Sequence, residues 1–243
     1  MAKKISGFAL LAIVLCLLAQ TSAMGQGSAV QVQKQQERNI LSLELAISRK
    51  NRDSLEGAIS LLFGADPNGY ATGFLVGDGL VMTAYHVISG ELSDAKKINL
   101  GFKANDQLHV KVYVNGCRAT VLKVDKEADL ALLEICGSRK QTKAPAFQAA
   151  LGKDEKLLLI ARPHGTKMVS NGVFSGAYNL RGQEYWSAKL TSRDGYSGSP
   201  VYNHRAELVG VLTGYDRVQD VAVISPAIKA QKLLEDYGSP SKP

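Results

Sequence analysis

The stretch Gly195-Tyr196-Ser197-Gly198-Ser199-Pro200 sets a serine among residues with little side chain, at the start of the apolar run Pro200–Tyr202. Taken alone, such a stretch is a tight turn leading into a strand. Two stretches upstream change its meaning. Leu80-Val81-Met82-Thr83-Ala84-Tyr85-His86 puts a histidine just after a short apolar strand, and Glu127-Ala128-Asp129-Leu130 puts an aspartate at the opening of another. A lone histidine there is usually structural, and a lone aspartate is usually a turn residue. Together they offer the three kinds of group that nucleophilic hydrolysis of an amide needs: a nucleophile, a base and an orienting carboxylate. A serine hydroxyl is a poor nucleophile near neutral pH. An imidazole can take its proton there, and a carboxylate fixes the imidazole tautomer. Small residues around Ser197, namely Gly195, Gly198 and Ser199, let backbone N–H groups approach a developing oxyanion.

Around these stretches the chain is a series of short apolar runs broken by Gly, Asp and Asn. Before position 137 they are Ala58–Phe63, Gly73–Val76, Leu80–Thr83, Ile98–Phe102, His109–Val114, Ala119–Val124 and Leu130–Ile135. Residues 138–155 are more polar and read as a linker. A second series follows: Leu157–Ala161, Gly172–Tyr178, Trp186–Thr191, Pro200–Tyr202, Leu208–Thr213 and Val221–Ile224. Many short strands with short connections predict an all-β barrel or sandwich. Pro226 opens a C-terminal helix, with Ile228, Leu233 and Leu234 as core contacts. Within 26–53, Val32, Gln36, Ile40, Leu43 and Ile47 share a helix face, while Leu41, Leu43, Leu45 and Ile47 alternate as in a strand. The reading adopted is an N-terminal helix in an extension that precedes the first barrel.

The start of the chain has the layout of a secretory leader. Lys3 and Lys4 precede the uncharged run 7–19, which is short for a membrane span, and small residues follow. Cleavage after Ala23 or after Gly25 fits, so residues 1–25 are expected to be a signal peptide, leaving no stable membrane anchor. The mature chain is then periplasmic or secreted. Losing Lys3 and Lys4 lowers the formal charge from +7 to about +5. No basic run interleaved with aromatics accompanies it, so no nucleic-acid partner is expected. His109, His164 and His204 lack metal-ligand spacing, so neither metal nor cofactor is expected. The 45% hydrophobic content excludes wholesale disorder.

Of three cysteines, Cys16 leaves with the leader. Cys117 and Cys136 flank a hairpin made of Ala119–Val124 and Leu130–Ile135. Pairing Val124 with Leu130 leaves the cysteines one residue out of register, which a single bulge corrects. A Cys117–Cys136 disulfide is therefore predicted, as suits an oxidising compartment.

Thr83-Ala84-Tyr85-His86, Asp129-Leu130-Ala131-Leu132-Leu133 and Gly195–Pro200, in that order, resemble the trypsin/chymotrypsin-like serine peptidases over about residues 54–237. Ser197-Gly198-Ser199-Pro200-Val201-Tyr202-Asn203 and Leu208–Gly214 are most similar to the bacterial HtrA/Deg-type and glutamyl-endopeptidase-type members. The resemblance implies two six-stranded antiparallel barrels, over 54–137 and 156–243, the second followed by the C-terminal helix. It also implies a serine endopeptidase acting on a protein or peptide substrate through an acyl-enzyme. His86 would be the base, Asp129 its orienter and Ser197 the nucleophile, with the N–H groups of Gly195 and Ser197 as the oxyanion hole. Thr213 and Gly214 would lie beside the substrate, and Thr191 near the base of its side-chain pocket. Three departures are informative. Tyr196 stands where digestive members carry an aspartate, so no trypsinogen-style activation is expected. Leu212 stands where glutamyl endopeptidases carry a histidine. HtrA/Deg-type members also usually carry a PDZ domain after the protease domain, and none is expected here. The alternative reading is a catalytically silent protein of the same fold that acts as a binding module.

Overall fold

The computed structural model describes residues 29–50, 69–137 and 145–238. The predicted leader, the predicted strand Ala58–Phe63 and the first part of the predicted linker lie outside them. Among the described residues thirteen strands form two antiparallel sheets. The first has seven strands in the order β5-β4-β1-β2-β3-β7-β6, and the second is a closed six-stranded barrel, β10-β13-β12-β11-β8-β9. The first is thus an open, half-barrel sheet rather than the closed six-stranded barrel expected. Its strands are β1 (Ile40–Arg49), β2 (Gly69–Gly77), β3 (Leu80–Ala84), β4 (Leu108–Val114), β5 (Cys117–Arg118), β6 (Thr120–Asp125) and β7 (Leu130–Glu134). The barrel holds β8 (Lys156–Ala161), β9 (Met168–Leu180), β10 (Gln183–Lys189), β11 (Pro200–Asn203), β12 (Leu208–Asp216) and β13 (Val221–Pro226).

Apolar runs here are continuous rather than alternating because both faces of many strands are buried. Successive side chains on a strand point to opposite faces. In β8, Leu157, Leu159 and Ala161 face the barrel interior with Val201 and Leu212, while Leu158 and Ile160 face the other way. In the first sheet, Val81 and Leu133 belong to the sheet's own core with Leu41 and Leu43. Met82, Leu130 and Leu132 instead join Leu158, Ile160, Tyr202 and Val211 in a third core between the two halves. That shared core also takes Val32 from α1 (residues 29–36) and Ala227, Ala230 and Leu233 from the C-terminal helix Ala227–Gly238.

Three expectations are corrected. The N-terminal helix stops at residue 36, and a 3₁₀ turn Glu37–Asn39 leads into β1. β1 pairs with β2 on one side and β4 on the other, so the segment assigned to an extension supplies an interior strand of the first sheet. Its period-two run Leu41, Leu43, Leu45, Ile47 fits that position, and burial on both flanks overrides the helical spacing. Ile98–Phe102 is not a strand. Ser93 accepts a hydrogen bond from the Lys96 N–H and caps the helix Asp94–Asn99, which leaves Ile98 exposed. Ile228 is exposed as well, whereas Leu233 is buried and Leu234 packs on the shared core.

β6 and β7 pair one residue away from the expected register, with Val124 opposite Ala131 and Asp125 opposite Leu130, and the register shifts once between Val121 and Lys123. Cys117, on β5, and Cys136, just after β7, are joined by a disulfide with Cα atoms 6.0 Å apart. Titration of the denatured, non-reduced protein lacking residues 1–25 should find no free thiol. Replacing both cysteines by serine should cost roughly 3 kcal/mol of stability, measured by denaturant unfolding. Two free thiols, or an unchanged midpoint, would remove the crosslink from the account.

Candidate active site

The serine turn lies between the two sheets and is bonded to both. From the first sheet, the Thr72 N–H donates to the Ser197 carbonyl at 3.0 Å. From the barrel, the Gly198 N–H donates to the Leu212 carbonyl and the Leu212 N–H to the Ser199 carbonyl, each at 2.8 Å. Gly198 has φ +83°, and a Cβ there would overlap the Thr72 carbonyl and the Thr83 hydroxyl. Both facts demand glycine. Just before it, the Tyr196 N–H donates to the Arg193 carbonyl at 3.0 Å, and Gly195 has φ +85°. That makes 193–196 a type II turn, with glycine at the position that needs positive φ. The Tyr196 ring is buried in the barrel core and anchors the turn.

His86 begins the second residue of a short helix, Tyr85–Ser89, that follows directly from β3. Asp129 stands in the left-handed region, φ +53°, which aspartate tolerates, at the end of the β6–β7 turn. Its two carboxylate oxygens are divided. Oδ1 accepts the His86 backbone N–H at 2.8 Å, and Oδ2 meets the His86 ring Nδ1 at 2.7 Å. The Asp129 carbonyl accepts the Tyr85 N–H at 3.0 Å. One aspartate therefore fixes both the start of the helix and the tilt of the imidazole. The other ring nitrogen, Nε2, lies 2.8 Å from Ser197 Oγ. The Asp129 side chain is 19% exposed against 37% for His86, so the carboxylate is shielded while the ring opens towards the cleft. Tyr185 of the barrel bridges the halves behind this group, donating its hydroxyl to the Glu127 carbonyl at 2.7 Å. Burial, and then the charges of Asp129 and Asp125, raise its phenol above the ordinary range.

Of the other residues singled out from sequence, Thr213 and Gly214 lie on β12 beyond the point where β11 pairs with it, leaving β13 as their strand neighbour. The Thr213 hydroxyl donates to the Val223 carbonyl at 3.2 Å. Thr191 lies exposed just past β10, its N–H bonded to the Ser170 hydroxyl at 2.8 Å. Both acidic residues of the β12–β13 hairpin are engaged. Asp216 accepts the Tyr178 hydroxyl at 2.7 Å and the N–H groups of Val218 and Gln219, which together hold its carboxyl below the usual range. Asp220 accepts the Tyr215 hydroxyl. The residue sequence reasoning passed over is Thr72, buried in β2, whose hydroxyl donates to the Gly195 carbonyl at 2.9 Å. No local signal marks it, since a threonine in a strand is ordinary. Among the described residues no three His, Cys, Asp or Glu side chains are grouped to hold a metal ion.

A family model, the trypsin-like peptidase domain, matches residues 71–211. No curated protein matches the chain. The fold is shared with solved structures of low sequence identity. The protease Rv3671c of M. tuberculosis, active form, aligns at TM-score 0.61 and 17% identity, over 87% of this chain and 86% of that one. Its inactive form aligns at TM-score 0.56 and 17% identity, over 86% and 93%. Deg5 aligns at TM-score 0.59 and 15% identity, over 86% and 92%. With a match that spans more than half of the chain and the expected two-sheet architecture, the chain belongs to the trypsin-like peptidase family.

Proposed function

We propose that the protein is a serine endopeptidase working through an acyl-enzyme, with His86, Asp129 and Ser197 as its triad. The observation that carries the reading is the line from Asp129 Oδ2 through His86 to Ser197 Oγ, with contacts of 2.7 and 2.8 Å. Ser197 Oγ attacks the scissile carbonyl carbon and its proton passes to His86 Nε2. The same proton then goes to the departing amine nitrogen as the C–N bond breaks. Water repeats the sequence on the acyl ester, giving its proton to Nε2 and returning Ser197 to the free hydroxyl. Asp129 holds Nδ1–H throughout and stabilises the imidazolium. The N–H groups of Gly195 and Ser197 receive the oxyanion; neither donates a hydrogen bond among the described residues.

The edge of β12 at Thr213 and Gly214, which β11 does not reach among the described residues, would take the substrate as an added strand. With Asp216 and Asp220 held by tyrosine hydroxyls, neither carboxylate is free to select a basic side chain, which favours a small or medium apolar residue before the scissile bond. Thr191 is assigned to the neighbourhood of that pocket. We further infer export to the periplasm or beyond, supported by the leader-like start and by a disulfide of the kind that persists in oxidising compartments.

Ser197→Ala should lower the cleavage rate of denatured casein by ~10⁴-fold or more while thermal melting stays near wild type. Equal turnover by the pure variant would remove Ser197 as nucleophile, and no turnover by either would favour the silent binding module. The rate should also fall on acidification, because a protonated imidazole cannot accept the serine proton. A rate that does not fall on acidification contradicts a histidine base.

A further inference from the structure

The oxyanion turn is held by a residue outside the triad. Four peptide units run from Asp194 to Gly198, and alternate ones are pinned at both ends. The unit Gly195–Tyr196 gives its carbonyl to the Thr72 hydroxyl at 2.9 Å and its N–H to the Arg193 carbonyl at 3.0 Å. The unit Ser197–Gly198 gives its carbonyl to the Thr72 N–H at 3.0 Å and its N–H to the Leu212 carbonyl at 2.8 Å. The other two units, Asp194–Gly195 and Tyr196–Ser197, each adjoin a pinned unit and carry the N–H groups of Gly195 and Ser197. Each peptide unit is rigid, so its neighbours' orientation sets where its N–H points. Thr72 contributes one bond to each pinned unit, one from its side chain and one from its backbone.

The hydroxyl is itself directed. The Arg162 N–H donates to Thr72 Oγ1 at 3.0 Å, so the hydroxyl hydrogen is left for the Gly195 carbonyl. Arg162 is fixed in turn, its guanidinium donating to the Glu37 carbonyl at 3.1 Å and the Gly165 carbonyl at 3.3 Å. Thr72 is fully buried, and its own carbonyl accepts the Thr83 hydroxyl at 2.8 Å. None of these hydrogen bonds involves Ser197 Oγ or the imidazole.

We propose that the Thr72 hydroxyl is a positioning group that holds the Gly195 carbonyl so that the Gly195 N–H faces the oxyanion. The proposal rests on the serine-peptidase reading above. It separates two roles within one residue: the backbone of Thr72 seats the serine, and its side chain orients the first oxyanion donor. Loss of the hydroxyl should therefore slow bond-making at Ser197 without weakening encounter with the reagent and without altering the proton transfer to His86.

The test follows phosphonylation of Ser197 by an alkyl fluorophosphonate, in which Oγ bonds to phosphorus, fluoride leaves and the serine proton goes to His86. The mature protein is compared with Thr72→Val, Thr72→Ser and Thr72→Ala, reading the maximal labelling rate, the half-saturating reagent concentration, the pH profile and thermal melting. Thr72→Val should lower the maximal rate ~10- to 100-fold with half-saturation and pH profile unchanged, less than the loss of an oxyanion donor outright. Thr72→Ser should keep most of the wild-type rate. Thr72→Ser and Thr72→Ala lose the same methyl group, so their ratio reads the hydroxyl alone even if the valine variant fails to fold. A rate for Thr72→Ala equal to that of Thr72→Ser overturns the proposal, as does a parallel loss in both. Folded wild-type protein that takes no label on Ser197 overturns the peptidase reading and this inference together. A labelled wild type beside an unimpaired Thr72→Ala overturns the inference alone.

Discussion

The proposed chemistry depends on a serine turn gripped from both sides. One bond from each sheet meets on the single peptide unit Ser197–Gly198, to Thr72 in the first sheet and to Leu212 in the barrel. The grip works because the turn has almost no side chain to accommodate. A Cβ at Gly198 would overlap β2 and β3, and the positive φ at Gly195 and Gly198 would strain most other residues. The one large side chain in the turn, Tyr196, points into the barrel core and adds an apolar anchor. Serine placement is therefore a property of the interface between the halves rather than of either half.

The interface is stable for a reason visible along the strands. Successive residues of β8 are sorted into two different cores, one inside the barrel and one shared with the first sheet. Residues of β3 and β7 divide in the same manner between the first sheet's core and the shared one. The strands that carry His86, Asp129 and Ser197 at their ends are thus held on both faces. The loops between them inherit positions fixed by packed side chains, and the C-terminal helix closes the shared core with Ala227, Ala230 and Leu233. Polar ties across the halves, such as Tyr185 to the Glu127 carbonyl and Arg162 to the Thr72 hydroxyl, add direction to that packing.

The all-β class, the six strands of the barrel and the three residues that meet between the halves were legible because each left a short local signature. The disulfide was legible from the place of the two cysteines beside one hairpin, although that hairpin pairs Val124 with Ala131 rather than with Leu130. β1 was misjudged because its apolar residues satisfy helical and strand spacing at once, and its two neighbours decide between them. Ala58–Phe63 falls outside the described residues. Ile98–Phe102 misled because it looks like a strand until the Ser93 cap is considered. Thr72 was invisible for a different reason. Its importance lies in three partners 90 to 125 residues away, Arg162, Gly195 and Ser197, and long-range partnership leaves no mark on local sequence.

The account stands most directly on where an activated serine sits. Exposure of the folded mature protein to a fluorophosphonate, followed by peptide mapping with mass spectrometry, locates it without knowledge of the natural substrate. A single adduct on Ser197, absent from Ser197→Ala, is the result the account predicts. Folded protein with no adduct, or with adducts spread over other hydroxyls and none on Ser197, would contradict it.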